Sequence, residues 1–174
     1  KHFLFLSYDL NSNSPFIFTD KMERFREVPL SKILMACTAV PGLFTPVKFG
    51  SLELADGILA AKNPSLLAYE YIKLFYPTDP IILLSLGTGK LRTKNKDIIE
   101  AEMERIHEQL KTKEKSDPKL IYYRFQPELS EASCEMDNTD PKNMEALQND
   151  AKKYIAENKS LFSNLLDLIE IKIS

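Results

Sequence analysis

The chain has 174 residues, 44% of them hydrophobic and 28% charged, with 10 Pro and 5 Gly. This is the composition of an ordinary folded domain, and it argues against disorder, collagen-like repeats and a disulfide scaffold. The 23 basic and 25 acidic side chains give a formal charge of −2, too balanced for the footprint of a dedicated nucleic-acid binder, so no nucleic-acid partner is expected. Cys37 and Cys134 lie far apart without a ligand spacing, so neither a metal site nor a cofactor is expected. No apolar stretch approaches the roughly 20 residues of a membrane-spanning helix, and no signal peptide opens the chain. A soluble protein, cytoplasmic or peripheral to membranes, is the expectation. The first residue is Lys1 and a strand-like run follows at once, which suggests a fragment of something longer.

Phe3 to Leu10 and Pro15 to Phe18 are apolar and aromatic, and Asn11-Ser12-Asn13 between them favours a tight turn, which predicts a β-hairpin. Leu30, Ile33, Leu34 and Cys37 recur at helical spacing up to Val40-Pro41-Gly42, predicting a helix with one buried face. Ser51 to Ala55 reads as a strand closed by Asp56-Gly57. Asn63-Pro64 then opens a helix through Tyr76, with Asn63 as its cap and Pro64 at its first position. Apolar residues encircle that helix, which predicts that it is well covered. Pro80 to Leu86, ended by Gly87-Thr88-Gly89, has the look of a central parallel strand buried on both faces.

Ile99, Met103, Ile106 and Leu110 form one apolar stripe on an otherwise charged surface helix. Lys119 to Phe125 is a further strand. A helix from Asp140-Pro141 carries Met144, Leu147, Ala151 and Tyr154 on one side, and a last helix carries Leu161, Leu165, Leu168 and Ile169. Loops are expected at Lys90 to Asn95, Lys111 to Pro118 and Gln126 to Thr139. This order predicts an α/β fold, with a mostly parallel sheet between helical layers, a β-hairpin and a helical tail over residues 137–174.

Two strand ends carry the chemistry of interest, Asp56 before Gly57 and the Gly87-Thr88-Gly89 turn, because open α/β sheets bind ligands at the carboxyl ends of strands. The two ends could share one crevice. A carboxylate there can serve as a general base; taken on spacing alone, Asp-Gly is a common turn. Gly87-Thr88-Gly89 lacks the third glycine of a dinucleotide motif and the Lys-Ser/Thr ending of a P-loop, so a tight turn is favoured over nucleotide binding. Neither His2 nor His107, which lies beside Glu104 and Glu108, suits a relay to Asp56. No G-x-S-x-G occurs, and Ser85 reads as a packed hydroxyl. Lys90, Arg92, Lys94 and Lys96, with Lys111, Lys113, Lys115 and Lys119, could face anionic headgroups; intervening acids favour a plain solvated surface.

Taken together, Ala36 to Pro46 (ACTAVPGLFTP), Leu54-Ala55-Asp56-Gly57, Lys62-Asn63-Pro64 and Leu83-Leu84-Ser85-Leu86-Gly87-Thr88-Gly89 resemble the second half of a patatin-like phospholipase domain, in order and at similar intervals. Tyr8 to Asn11, Tyr122 to Gln126, Met136-Asp137-Asn138 and Asn143-Met144 extend the resemblance over nearly the whole chain. It implies a three-layer α/β/α fold, here a partial patatin-like domain over residues 1–174. It also implies a lipid acyl hydrolase that uses a serine and an aspartate without histidine. The aspartate falls on Asp56, supported by Gly57, Asn63 and Pro64. The serine elbow and the oxyanion loop belong to the first half of such a domain, so this chain alone is expected to be inactive and to expose a strand edge prone to pairing. The implied partners are an acyl-lipid substrate such as a phospholipid, the N-terminal portion of the domain, and a membrane surface touched peripherally. Ile58 stands where the family usually has Gly or Ala; a β-branched residue disfavours positive φ, which leaves a non-catalytic binding module as the alternative.

Overall fold

The computed structural model describes residues 2–91, 98–135 and 137–173. By packing the chain forms two units, Lys1–Leu83 with Ile98–Tyr122, and Leu84–Asp97 with Tyr123–Ser174.

In the first unit, β1 (Leu4–Asp9) and β2 (Ser14–Thr19) form the expected antiparallel hairpin, with Asp9 opposite Ser14. Asn13 adopts a φ of 50° in its turn, a conformation that Asn tolerates better than most residues. The sheet is larger than the sequence suggested. β3 (Val47–Phe49) pairs with β4 (Leu52–Asp56), and β4 pairs with β1, giving the antiparallel order β2-β1-β4-β3. α1 (Leu30–Cys37) packs on this sheet through Ile33 and Ala36, which join Phe18, Phe25 and Leu54 in one core. The predicted stripe on α1 is therefore corrected: Ile33 is buried, whereas Leu30 and Leu34 are exposed.

α2 (Ser65–Phe75) buries Ser65 and Tyr69. Its last turn is open to solvent, with Leu74 77% exposed, contrary to the expectation of full cover. Tyr69 packs with Leu110, Leu120 and Tyr122 in a second core. β5 (Ile81–Leu86) pairs with β7 (Leu120–Phe125). Ile81 N–H donates to the Lys119 carbonyl and Gly87 N–H to that of Phe125, and the equal offset at both ends marks a parallel pair. β5 is not buried on both faces, since Leu86 is 72% exposed and β7 is its one strand neighbour among the described residues. α3 (Ile98–Ser116) overruns the loop predicted from Lys111. Leu110 is fully buried and the Lys111 ammonium meets Glu114 at 2.9 Å, so the helix continues until Asp117-Pro118, where proline cannot extend it.

In the second unit, β6 (Lys90–Leu91) pairs in parallel with β8 (Glu128–Leu129), inside two segments predicted as loops. α4 (Pro141–Glu157) and α5 (Lys159–Ile173) form the expected helical end of the chain. Leu165 is buried as the α5 stripe predicts, and Phe162 stacks on Phe125 at 4.3 Å. α4 departs from its predicted stripe: Met144 is exposed and the buried residues are Asn143 and Asp150. Asp150 accepts the N–H groups of Ser130, Glu131 and Ala132, and Asn143 accepts that of Ser133. The helix thus presents polar groups inward because the loop beneath it has donors to satisfy. Arg92, Lys94, Lys96 and Met136 lie outside the described residues.

Candidate active site

Asp56 is the last residue of β4 and sits opposite Ser7 on β1. Its N–H donates to the Ala39 carbonyl at 3.0 Å. Its Oδ1 accepts the Ile58 N–H at 2.7 Å, capping the short 3₁₀ turn Gly57–Leu59. The other carboxylate oxygen has no hydrogen-bond partner among the described residues, and the residue as a whole is half-buried. The frame behind it is cross-tied by hydrogen bonds. Ser7 is fully buried, and its hydroxyl donates to the Ala55 carbonyl at 2.6 Å and lies 3.2 Å from that of Ala36. The serine thereby ties β1, the end of α1 and β4 together beside Asp56.

Gly57 is buried against β1. A Cβ at this position would lie 2.4 Å from the Leu6 carbonyl oxygen, so glycine is required by close approach rather than by its dihedral freedom. Ile58 sits in the 3₁₀ turn, and among the described non-glycine residues Asn13 is the one with positive φ. The backbone at Ile58 is thus of the ordinary kind that a β-branched side chain adopts without strain.

The Cys37 thiol lies close enough to feel Asp56: burial first, then the carboxylate charge, push its pKa up to about 11. It stays a neutral thiol and a poor nucleophile. A cavity of about 360 Å³, lined by Met35, Thr38, Ala39, Phe44, Thr45 and Val47, adjoins the site through Ala39. Phe44, 64% exposed, stands on its rim.

Asn63, 3% exposed, accepts both the N–H and the hydroxyl of Ser65 at 3.2 and 2.6 Å, and donates to the Met103 carbonyl at 3.3 Å. It holds Ser65, the first residue of α2, and also joins it to α3, but the N-cap position expected for it falls on Pro64, without a side-chain cap bond. The regular helix starts at Ser65 rather than at Pro64, a one-residue difference of the usual size for helix ends.

Gly87-Thr88-Gly89 follows β5 as irregular backbone rather than the tight turn expected from sequence. Gly89 has a φ of 109° and the Lys90 N–H donates to the Pro127 carbonyl, so this glycine leads the chain into β6. The Lys90 ammonium lies 4.0 Å from Glu128. Ser85 is buried at 4% exposure and its Oγ accepts from Arg124 at 2.7 Å. His107 Nδ1 lies 3.2 Å from the Tyr122 hydroxyl, and His2 bonds Asp20 and Tyr76; both rings are engaged away from Asp56. Glu104, His107 and Glu108 bring potential metal-ligand atoms within 4.8 Å of one another on α3, an arrangement common on acidic helix faces. Both cysteines are free thiols.

Ser7 and the supporting Ala39 carbonyl were not singled out from sequence. A serine inside an apolar strand and a carbonyl before Pro41 carry no local signal of their role.

No protein-family model matches the chain. Among proteins of known name, it is 26% identical over 152 residues to phospholipase A I of Arabidopsis thaliana, covering 79% of this chain and 12% of that protein. It is 31% identical over 141 residues to the mouse calcium-independent phospholipase A2-gamma, covering 72% of this chain and 18% of the relative. Patatin-like protein 6 of Arabidopsis thaliana is 34% identical over 100 residues, 48% of this chain and 20% of that protein. The chain belongs to the patatin-like family. The aligned part of the chain corresponds to less than a quarter of the length of each of these relatives. Among the described residues, no helix is long and apolar enough to cross a membrane.

Proposed function

We propose that this chain supplies the aspartate of a Ser-Asp dyad in a lipid acyl hydrolase of phospholipase A type, with Asp56 as the general base. The observation that carries the reading is the division of labour within its carboxylate: Oδ1 is committed to the Ile58 N–H, which fixes the group's direction, while the second oxygen keeps its acceptor capacity. With no histidine to relay a proton, that oxygen takes the proton of a serine hydroxyl directly as the hydroxyl oxygen attacks an ester carbonyl, and gives it to the departing alcohol as the ester C–O bond breaks, which leaves the acyl-enzyme and an ionised carboxylate. Water then attacks the acyl group, the carboxylate accepting its proton while the serine oxygen leaves and is reprotonated.

The sequence holds no G-x-S-x-G, so the serine and its oxyanion donors are assigned to another segment of a longer protein, and the chain by itself is assigned no activity. The names of the phospholipase relatives support an acyl lipid as substrate, and the recess lined by Met35, Phe44 and Val47 suits an acyl chain better than a polar headgroup. The rival, a non-catalytic binding module, drew its support from Ile58, whose backbone is ordinary.

The test is ester turnover by the full-length protein carrying Asp56→Asn, alongside labelling by a serine-reactive fluorophosphonate. The asparagine oxygen can still accept the Ile58 N–H, so the turn persists while the base is lost. Turnover is expected to fall at least about a hundredfold, and unchanged turnover refutes the role.

A further inference from the structure

The end of β5 leaves backbone and side chains open together. The Ile81 N–H donates to the Lys119 carbonyl and the Gly87 N–H to that of Phe125. Backbone groups alternate sides along a strand, so the amides and carbonyls of Leu84 and Leu86 point away from β7. On that side no strand pairs with β5 among the described residues. The side chains agree. Ser85 turns to one face, where it is buried and accepts from Arg124. Leu84 and Leu86 turn to the other and are 43% and 72% exposed. Phe125, on that same face of the neighbouring strand, is buried beneath Phe162 of α5, so the cover stops short of the edge.

Edges that face water in the native state are guarded, most often by a lysine or a proline. β5 reads Ile-Ile-Leu-Leu-Ser-Leu and carries neither. Outward amides and bare leucines are satisfied at once by one kind of occupant, an extended backbone laid along the edge with apolar side chains on the leucine face. An acyl chain would cover the leucines and leave the amides unmet. The aligned part of the chain is less than a quarter of each relative's length, and the serine of the proposed dyad is assigned to polypeptide outside it, which names the source of such a strand.

We infer that the outer edge of β5 at Leu84–Leu86 is the seat of a β-strand from the serine-bearing segment of the longer protein, held by main-chain hydrogen bonds. This rests on the assignment of the serine to another segment, and not on Asp56 being its base.

The test compares amide hydrogen exchange in the full-length protein with that in this chain, the chain held at a dilution where sedimentation shows a monomer. Exchange at Leu84 and Leu86 should slow at least about a hundredfold in the full-length protein, against less than about tenfold at Ala132, whose amide Asp150 already holds. Leu86→Lys places a natural edge guard on a side chain that is exposed in the chain, so it should leave the chain's unfolding unchanged yet reduce protection of Leu84 in the full-length protein at least about tenfold. A photo-crosslinking amino acid at position 86 of the full-length protein should capture a peptide from the segment that carries the G-x-S-x-G serine. Equally fast exchange in both proteins, an inert Leu86→Lys, or capture of a second copy or of a segment apart from that serine overturns the proposal. Turnover judges the dyad separately: protected leucines in a protein whose Asp56→Asn variant keeps full activity refute the base and leave the seat standing.

Discussion

Gly57 faces the backbone of Leu6 so closely that a methyl group on it would fall 2.4 Å from the Leu6 carbonyl oxygen. The obstacle is strand backbone, held in place by pairing with both β2 and β4, and it cannot yield as a side chain would. Gly57→Ala is therefore expected to destabilise the chain by at least about 2 kcal/mol through overpacking. Ile58→Ala, in the same turn, should cost clearly less. Urea titrations of the two variants check the contrast, and equal effects would show that the close approach is not the constraint.

Asn63 makes three hydrogen bonds while nearly fully buried, two with Ser65 and one with the Met103 carbonyl. Asn63→Ala removes the bonds to Ser65 at the start of α2 and the tie to α3 together, at an expected cost of about 1 to 2 kcal/mol. Asn63→Asp keeps the acceptor for Ser65 but turns the Met103 contact repulsive, so it should recover part of the loss. Thermal unfolding of the pair, compared with wild type, measures this.

Asp150 sets an acid limit on the second unit. The Ser130 hydroxyl, opposed by burial and then helped by the N–H groups of Glu131, Ala132 and Ser130, holds its pKa down from 3.8 to about 2. Because the folded value is depressed, the contribution is complete above about pH 4 and disappears as pH falls toward 2. Asp150→Asn should destabilise by on the order of 2 kcal/mol at neutral pH. The gap between variant and wild type should close as the pH falls from about 4 to 2. Denaturant unfolding at a series of pH values reads it directly, and a gap independent of pH would dismiss the ionised carboxylate as its source.

Ser85 is predicted to be structural. Its hydroxyl accepts from the Arg124 guanidinium and is buried, so Ser85→Ala should cost about 1 kcal/mol and leave any ester turnover of the full-length protein within twofold of wild type. A fluorophosphonate adduct on Ser85 would contradict this.

The hairpin, the Asp56-Gly57 strand end, the helix start near Asn63-Pro64 and the two terminal helices were legible because each is written in adjacent residues: turn formers, a proline at a helix start, a 3.6-residue period. β3, β6 and β8 have two or three residues each, too few for any period to show. The stripe on α1 misled because hydrophobicity marks what can be buried, not what is: Leu30 and Leu34 satisfy the pattern and still face out, while small Ala36 lies inside. Polar burial on α4 was invisible for a related reason, since Asn143 and Asp150 answer backbone donors of a loop ten to twenty residues away. At the site the position of Asp56 could be read, but not what frames it. The steric demand on Gly57 and the tie made by Ser7 arise from strands about 50 residues apart in sequence.

One turn thus holds two neighbouring positions under opposite regimes. At 57 the wall of β1 forbids any side chain, whatever its chemistry; at 58 the amide is gripped by the Asp56 carboxylate and the backbone is of the kind that a branched residue adopts. A branched isoleucine therefore stands directly beside a position that admits glycine alone, and its own amide is what turns the acid.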